Sequence, residues 1–323
     1  MSASYDHTAR VWITATGDCQ VELKGHSGWV NSAVFSPDGK HIVSASNDNT
    51  VRIWNTVTGD CQAELKGHSN WVNSAVFSPD GKHIVSASDD HTVRVWNSAT
   101  GDCQAELKGR SDWVNSAVFS PDDKHIMPVS DDYTVQIWNT ATGDCQAELN
   151  GHLDSGKSAV FSPDSKHIVS LSHDHTVRIW NTATGDCQAE LKGHSGQVNS
   201  AVFSPGGRHI VSASYGHTAR IWNTATGDCQ AELKGHSDKV NSAVFSSDGR
   251  HIVSASDDHT IRIWYTATGD CQAELKGHSN WVKSAVFSPD DKHIMSVSDD
   301  HTENLEYSHR GLSSRAKKKF RIW

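Results

Sequence analysis

A segment of 42 residues is written along this chain again and again with little change, and that period decides most of what the chain can become. Gly25 to Lys66 reads GHSGWVNSAVFSPDGKHIVSASNDNTVRIWNTVTGDCQAELK, and the unit restarts at Gly67, Gly109, Gly151, Gly193, Gly235 and Gly277. Complete copies occupy 25–66, 67–108, 109–150, 151–192, 193–234 and 235–276. A half copy follows at 277–302, and another precedes the array at 2–24. The cysteine, tryptophan and glycine spacing never slips, so there is no internal linker and 1–302 is expected to be a single domain. A period of this size marks an architecture in which each unit buries its apolar surface against the next.

Turn residues cut each unit into four strand-length runs. Trp29 to Phe35 is closed by Ser36-Pro37-Asp38-Gly39. His41 to Ser46 sets Ile42, Ser44 and Ser46 on one face against Val43 and Ala45 on the other. Thr50 to Trp54 precedes Thr58-Gly59-Asp60, and Cys61 to Leu65 leads into the next Gly67-His68. Short alternating runs bounded by Gly, Pro, Asn and Asp are strands, and no run has helical periodicity. Four strands per unit, a Gly-His near the start and a Trp closing the third strand form the pattern of a propeller blade.

On these residues the sequence resembles the WD-repeat family over 2–302. The resemblance implies an all-β, seven-bladed β-propeller of four-stranded antiparallel blades, with the closing blade shared by the N- and C-termini. Residues 2–24 would supply its third and fourth strands (Thr8–Trp12, Cys19–Leu23), and 277–302 its first and second (Trp281–Phe287, His293–Ser298). Such pairing leaves no long open edge. A rival third strand exists at Phe320-Arg321-Ile322-Trp323, which repeats the Val-Arg-Ile-Trp ending. One departure from the family is uniform: the Asp of its Trp-Asp pair is Asn at Asn55, Asn97, Asn139, Asn181 and Asn223, Tyr at Tyr265 and Ile at Ile13. The near-identity of the copies also resembles the C-terminal recognition arrays of fungal STAND/NLR-like NTPases.

The family resemblance further implies a hydrogen-bonded set in each blade, here His26, Ser44 (or Ser46), Asp48 and Trp54. A buried indole N–H and imidazole require partners, and short Ser and Asp side chains supply them. Blade three carries Arg110 in place of the His and Pro128 in place of the Ser, and blade five carries Gly216 in place of the Asp. These two blades are expected to be the least protected.

Net charge is −9, against a duplex nucleic-acid binder, and no apolar run approaches the ~20 residues that span a bilayer. The first residues lack the charged and apolar regions of a signal peptide. Seven cysteines stand one per repeat (Cys19, Cys61, Cys103, Cys145, Cys187, Cys229, Cys271), beyond the ~7 Å Cα reach of a disulfide. Free thiols, a cytoplasmic location and a monomeric propeller follow as expectations. The segment 303–323 is basic (Arg310, Arg315, Lys317, Lys318, Lys319, Arg321 against Glu303 and Glu306) and is read as a diverged tail rather than a localisation tag.

Three signals for chemistry have bland explanations. Gly151-His152-Leu153-Asp154-Ser155-Gly156-Lys157-Ser158 matches a phosphate loop, but the residues that follow form a first strand in every other copy, where the motif needs a helix. Ser, His and Asp recur in each blade like a hydrolase triad, yet beside a Trp and with no oxyanion donors, which is a clamp. Among 21 histidines, one set (His41, His83, His125, His167, His209, His251, His293) and another (His91, His175, His217, His259, His301) are spaced one blade apart, too far to share a ~2 Å coordination sphere. No cofactor, no metal and no catalysis are expected.

Differences between copies point instead to recognition. The first-to-second and third-to-fourth connections barely change, whereas the opposite ends of the blades vary. Before the first strand stand Gly28-Trp29, Asn70-Trp71, Asp112-Trp113, Asp154-Ser155, Gly196-Gln197, Asp238-Lys239 and Asn280-Trp281. The second-to-third turn varies at Asn47, Asp89, Asp131, His173, Tyr215, Asp257 and Asp299, and two residues on at positions such as Asn49 and Tyr133. Aromatic residues on loops match the composition of binding hot spots. Trp29, Asn70, Trp71, Asp112, Trp113, Tyr133, Gln197, Tyr215, Lys239, Asn280 and Trp281 are therefore the candidate partner-binding residues. The function read from this pattern is a protein-binding scaffold, the sensing part of a larger signalling protein; the alternative is a carbohydrate-binding lectin.

Overall fold

The computed structural model describes residues 1–13, 16–109, 111–130, 135–152 and 156–300, with backbone alone for Gly156 and Lys157. Arg110, Tyr133 and the tail with Phe320–Trp323 lie outside the described residues. Twenty-nine strands, β1–β29 in chain order, and no helix are found among those described. In the first complete blade these are β4 (Val30–Phe35), β5 (His41–Ser46), β6 (Thr50–Asn55) and β7 (Cys61–Lys66). They hydrogen-bond in sequence order as an antiparallel sheet, and the next five repeats do the same.

The second strand is buried on both faces. Ile42, Val43 and Ala45 have no exposed surface, and neither do Ser44 and Ser46. This happens because, within each compact unit, successive sheets cover one another. Val43, Ala45, Val51, Ile53 and Leu65 of one blade pack with Val72, Ala75, Ile84 and Trp96 of the next. The same set recurs as Val211, Ala213, Ala219, Ile221 and Leu233 against Val240, Ala243, Ile252 and Trp264. Each Val, Leu or Ile among these contributes roughly 1.5–3 kcal/mol on burial, so a blade is stable only beside another.

The chain divides into two compact units, residues 1–150 with 182–185, and residues 151–181 with those from 186 onward. The first begins with a three-stranded sheet of β1 (Ser2–Ala3), β2 (Thr8–Trp12) and β3 (Cys19–Lys24). Ala9, Val11 and Leu23 of that sheet pack on Val30, Ile42 and Trp54. Sequence reasoning places no strand at Ser2–Ala3, yet Ser2 pairs with Arg10 and Ala3 with Ala9, as Ser44 pairs with Arg52 and Ala45 with Val51. The N-terminal half copy therefore carries the end of a second strand besides the third and fourth. The second unit ends in the two-stranded sheet of β28 (Val282–Phe287) and β29 (Ile294–Ser298). Val282, Ala285 and Ile294 of that sheet pack on Val253, Ala255 and Ile261.

Candidate binding surface

The clamp that fixes the blade ends is present. His26 Nδ1 lies 2.8 Å from Asp48 Oδ2 and its Nε2 2.7 Å from Ser44 Oγ, which accepts the Trp54 indole N–H at 2.8 Å. Asp48 also accepts from Thr50 Oγ1 at 2.7 Å and from the Ser27 amide at 2.9 Å. The choice between Ser44 and Ser46 is thereby decided; Ser46 Oγ instead accepts the Asp48 amide at 3.1 Å. Blades two, four and six repeat the set through His68, His152 and His236. Gly25 belongs to it for steric reasons, because a Cβ there would sit 2.5 Å from Arg52 Nη1 and 3.2 Å from the Trp54 ring.

Electrostatics follow from burial and partners together. Burial would raise the Asp48 carboxyl, but hydrogen bonds from His26, Thr50 and the Ser27 amide outweigh it and hold the group well below the usual carboxylate range. Asp90 and Asp258 behave alike. In blade five Gly216 supplies no carboxylate, and His194 Nδ1 is buried with no partner among the described residues. Burial, aided by Arg220, pushes the His194 imidazole down to about 4.

Blade three answers its own defect. Pairing between its second strand (His125–Ser130) and third strand (Val135–Asn139) skips from Ile126↔Trp138 to Val129↔Val135 around Pro128. The Trp138 indole, deprived of a serine, donates to Gln136 Oε1 at 3.2 Å. Gln136 stands where the other complete copies have Arg.

The two variable positions meet at one end of each blade. The carbonyl of the residue before the first strand accepts the amide of the second-to-third turn: Trp29 from Asn47, Trp71 from Asp89, Gln197 from Tyr215 and Lys239 from Asp257, all at 2.9 Å. Asn70, Asp112 and Asn280 then accept the backbone N–H of the Trp that follows, at 2.8–2.9 Å. Held this way, the rings of Trp29, Trp71, Trp113 and Trp281 are 48%, 49%, 52% and 48% exposed. Across neighbouring copies the turn residue reaches the next loop, with the Tyr5 and Trp29 rings 4.6 Å apart and Lys239 Nζ 5.0 Å from the Tyr215 ring centre.

Tyr5 was missed by sequence reasoning, although the register Ser2-Ala3-Ser4-Tyr5-Asp6 against Ser44-Ala45-Ser46-Asn47-Asp48 places it in the variable column. Other members of that column are less free than loop variability suggests. Asn47, Asp89 and Asp257 each accept a hydrogen bond, at 2.6–2.7 Å, from a first-strand Asn. Those asparagines (Asn31, Asn73, Asn241) also donate to a main-chain carbonyl of the following copy. Two residues on, Asn49, His91, His175, His217 and His259 have φ of 66–70°, the left-handed region, where Asn and His are enriched.

The constant ends are constant for a structural reason. Asp38 accepts from Ser36 Oγ at 2.7 Å and from the Lys40 amide at 3.1 Å. Asn55 Oδ1 accepts the amides of Val57 and Thr58 at 2.9 and 3.0 Å, which gives the Asn of the Trp-Asn pair its place in the loop. The last three residues of the phosphate-loop match lie in the strand Gly156–Phe161, and no helix N-terminus that could cradle a phosphate follows them among the described residues. No group of three or more metal-ligating side chains occurs among the described residues.

A model of the "WD domain, G-beta repeat" matches seven segments: 17–55, 59–97, 101–139, 143–181, 185–223, 227–265 and 269–302. The chain belongs to the WD-repeat family. Its fold is the all-β, seven-bladed propeller of that family. Each of the first six WD segments starts at a fourth strand and runs through the first three of the following blade, and the seventh holds a fourth strand and the first two of the next, so every segment straddles two sheets. Among curated proteins, Ribosome assembly protein 4 of Chaetomium thermophilum is 49% identical over 41 residues, 13% of this chain and 8% of that protein. Nuclear distribution protein PAC1 of Mycosarcoma maydis is 42% identical over 43 residues, 13% of this chain and 10% of that one. The match thus spans about one repeat and a tenth or less of either relative. Among solved structures, the computationally designed Ika8 protein superposes with a TM-score of 0.79 at 28% identity, covering 94% of this chain and 92% of that one.

Proposed function

We propose that this WD-repeat chain is a non-enzymatic recognition scaffold that holds a protein partner on the variable ends of its blades. The observation that carries this reading is the presentation of Trp29, Trp71, Trp113 and Trp281: large rings half exposed, with the carbonyls of Trp29, Trp71 and Trp281 tied to the adjoining turn and that of Trp113 to Ser130 Oγ. Rigid aromatic side chains lose little entropy on docking and dominate interface energetics, about 2 kcal/mol or more each when they act as hot spots. Tyr5 and Tyr215 extend the same chemistry, and Asn70, Asp112, Gln197, Lys239 and Asn280 furnish a polar surround that differs from blade to blade. That difference is what a specific partner requires, since identical loops would bind alike.

WD repeats generally serve protein interaction, and the named relatives belong to ribosome assembly and nuclear distribution. The likeness of these near-identical copies to fungal recognition arrays supports a role as the sensing part of a larger signalling protein. Seven exposed free cysteines suit a reducing cytosol, and a single chain is the proposed acting form. The test is affinity capture from native extract with the wild type and a Trp29/Trp71/Trp113/Trp281→Ala variant of equal thermal stability. Loss of a specific partner in the variant is the expected result, and identical partner lists would sink the reading.

A further inference from the structure

The aromatic loops of the variable ends differ in what the chain itself places over their rings. In the half copy 277–302, Lys283 Nζ lies 4.6 Å from the centre of the Trp281 ring and 3.1 Å from Asp299. In the copy 235–276, Lys239 Nζ lies 5.0 Å from the centre of the Tyr215 ring of the preceding turn. The negative face of an aromatic ring attracts an ammonium or guanidinium group, most strongly when the ring is Trp. Both of these rings are therefore supplied with a cation from within the chain.

The corresponding rings of the first two complete copies carry no cation among the described residues. Trp71, Asn73 and Asp89 stand at the repeat positions of Trp281, Lys283 and Asp299, and both loops read Ser-Asn-Trp-Val. Where Lys283 reaches back to its tryptophan, Asn73 instead donates to Asp89 Oδ1 at 2.6 Å and to the Val114 carbonyl at 3.0 Å. The Trp71 ring is left half exposed. In the copy before it, Tyr5 and Trp29 stand at the positions of Tyr215 and Lys239. A second ring thus replaces the lysine, and the two rings lie 4.6 Å apart, tilted by 37°, with Trp29 half exposed and Tyr5 more so. Asn49 Nδ2 donates to the Ser69 carbonyl at 3.4 Å, so the first turn adjoins the loop that carries Trp71.

Charge at these ends is of one sign. The segments Tyr5–His7, His26–Trp29, Asn47–Asn49, His68–Trp71 and Asp89–His91 contain four Asp and no Lys or Arg. Asp6 is paired with Arg10, which leaves Asp48, Asp89 and Asp90 to set the field around the rings. We infer that these two loops bind a basic segment of the partner, with one Lys or Arg side chain over the Tyr5–Trp29 pair and another over Trp71. The inference rests on the reading of the variable ends as the recognition surface and names the chemistry recognised there. Two adjoining loops can engage two charges of one chain, and each contact raises the effective concentration for the other.

The test follows the indole N–H resonances of the full chain, ¹⁵N-labelled at tryptophan, during titration with four capped peptides. These are repeats of Gly-Arg, Gly-Lys, Gly-citrulline and Gly-Glu, citrulline having the shape of arginine without its charge. A basic peptide should shift the Trp29 and Trp71 signals saturably and bind about tenfold or more tighter than the citrulline peptide, a difference of ~1.4 kcal/mol. Asn73→Lys gives Trp71 the lysine and carboxylate that Trp281 has, and should weaken binding at that ring about tenfold. Lys283→Asn is the converse and should make the Trp281 signal respond to the basic peptide. Each substitution installs a residue that another copy already carries at that position. No saturable shift at either ring, equal binding of the citrulline peptide, tighter binding of the glutamate peptide, or an unchanged response in both variants would each overturn the proposal. Any of these, found together with loss of the native partner from the four-tryptophan variant, would remove the preference for cations and leave the recognition scaffold standing.

Discussion

Blade five offers a defect that can be repaired by one residue, and the repair tests whether the clamp sets blade stability. Gly216→Asp would place a carboxylate beside His194 Nδ1, the Ser195 amide and Thr218, the three donors served by Asp48 in blade one. A Cβ at Gly216 would meet Ser195 Oγ, a contact that a side-chain rotation relieves, and would lie 3.0 Å from the Gly196 backbone N, so the loop must also give by a few tenths of an ångström, as it does in blade one where Ser27 and Asp48 coexist. Gly216 does not occupy a left-handed φ, so replacing it costs no backbone strain and lowers the entropy of the unfolded chain by about 0.4–1 kcal/mol. Hydrogen bonds to a charged acceptor contribute roughly 1.5–3 kcal/mol each before the carboxylate's desolvation is subtracted. A net gain of about 2 kcal/mol is expected, which is ~30-fold in amide protection of residues 209–223. The His194 imidazole should also titrate well above its present value of about 4. Hydrogen exchange and histidine NMR titration measure both effects. Unchanged protection together with an unmoved titration would refute the clamp as the source of blade stability.

Removing the shared acceptor should do the reverse. Ser86→Ala orphans both the Trp96 indole and His68 Nε2, and a loss of about 2–4 kcal/mol in blade two, read by hydrogen exchange, is expected. Gln136→Ala in blade three removes the substitute partner of Trp138 and should cost ~1–3 kcal/mol, whereas a silent substitution would show that this indole needs no acceptor. Acid should open blade five before its neighbours. With a folded value near 4 against ~6.5 unfolded, the neutral His194 contributes stability that is complete above pH ~6.5 and is lost as pH falls toward 4. Asp48, Asp90 and Asp258 are depressed carboxyls, so their contribution persists until pH falls below ~4. Exchange rates at pH 5 that rise equally in blades one and five would contradict this order.

The sequence was most informative where the physics is local or repeats with the period. Turn residues placed the strands, and the fixed spacing of His26, Ser44, Asp48 and Trp54 yielded the clamp, because all four act within one unit. Contacts that cross from one copy to the next were harder to read. The 42-residue register alone did not show that the Tyr5 ring packs tilted against Trp29, or that Asn31 holds both Asn47 and the next copy's Val72 carbonyl. Compensation within blade three was hidden for another reason. Pro128 announces a lost serine, but only the geometry shows Gln136 turning toward the Trp138 indole. The loops that scarcely vary were read as lacking a recognition role, whereas their internal hydrogen bonds already account for their constancy.

We propose that recognition occurs at the tryptophan loops. The most direct measurement places a photo-crosslinking aromatic amino acid at Trp71, and in a second protein at the constant-end residue Val57, which is 75% exposed. Irradiation in native extract should then yield a discrete protein adduct from position 71 and none of the same mass from position 57. Equal adducts from both positions, or an adduct from position 57 alone, would contradict the account.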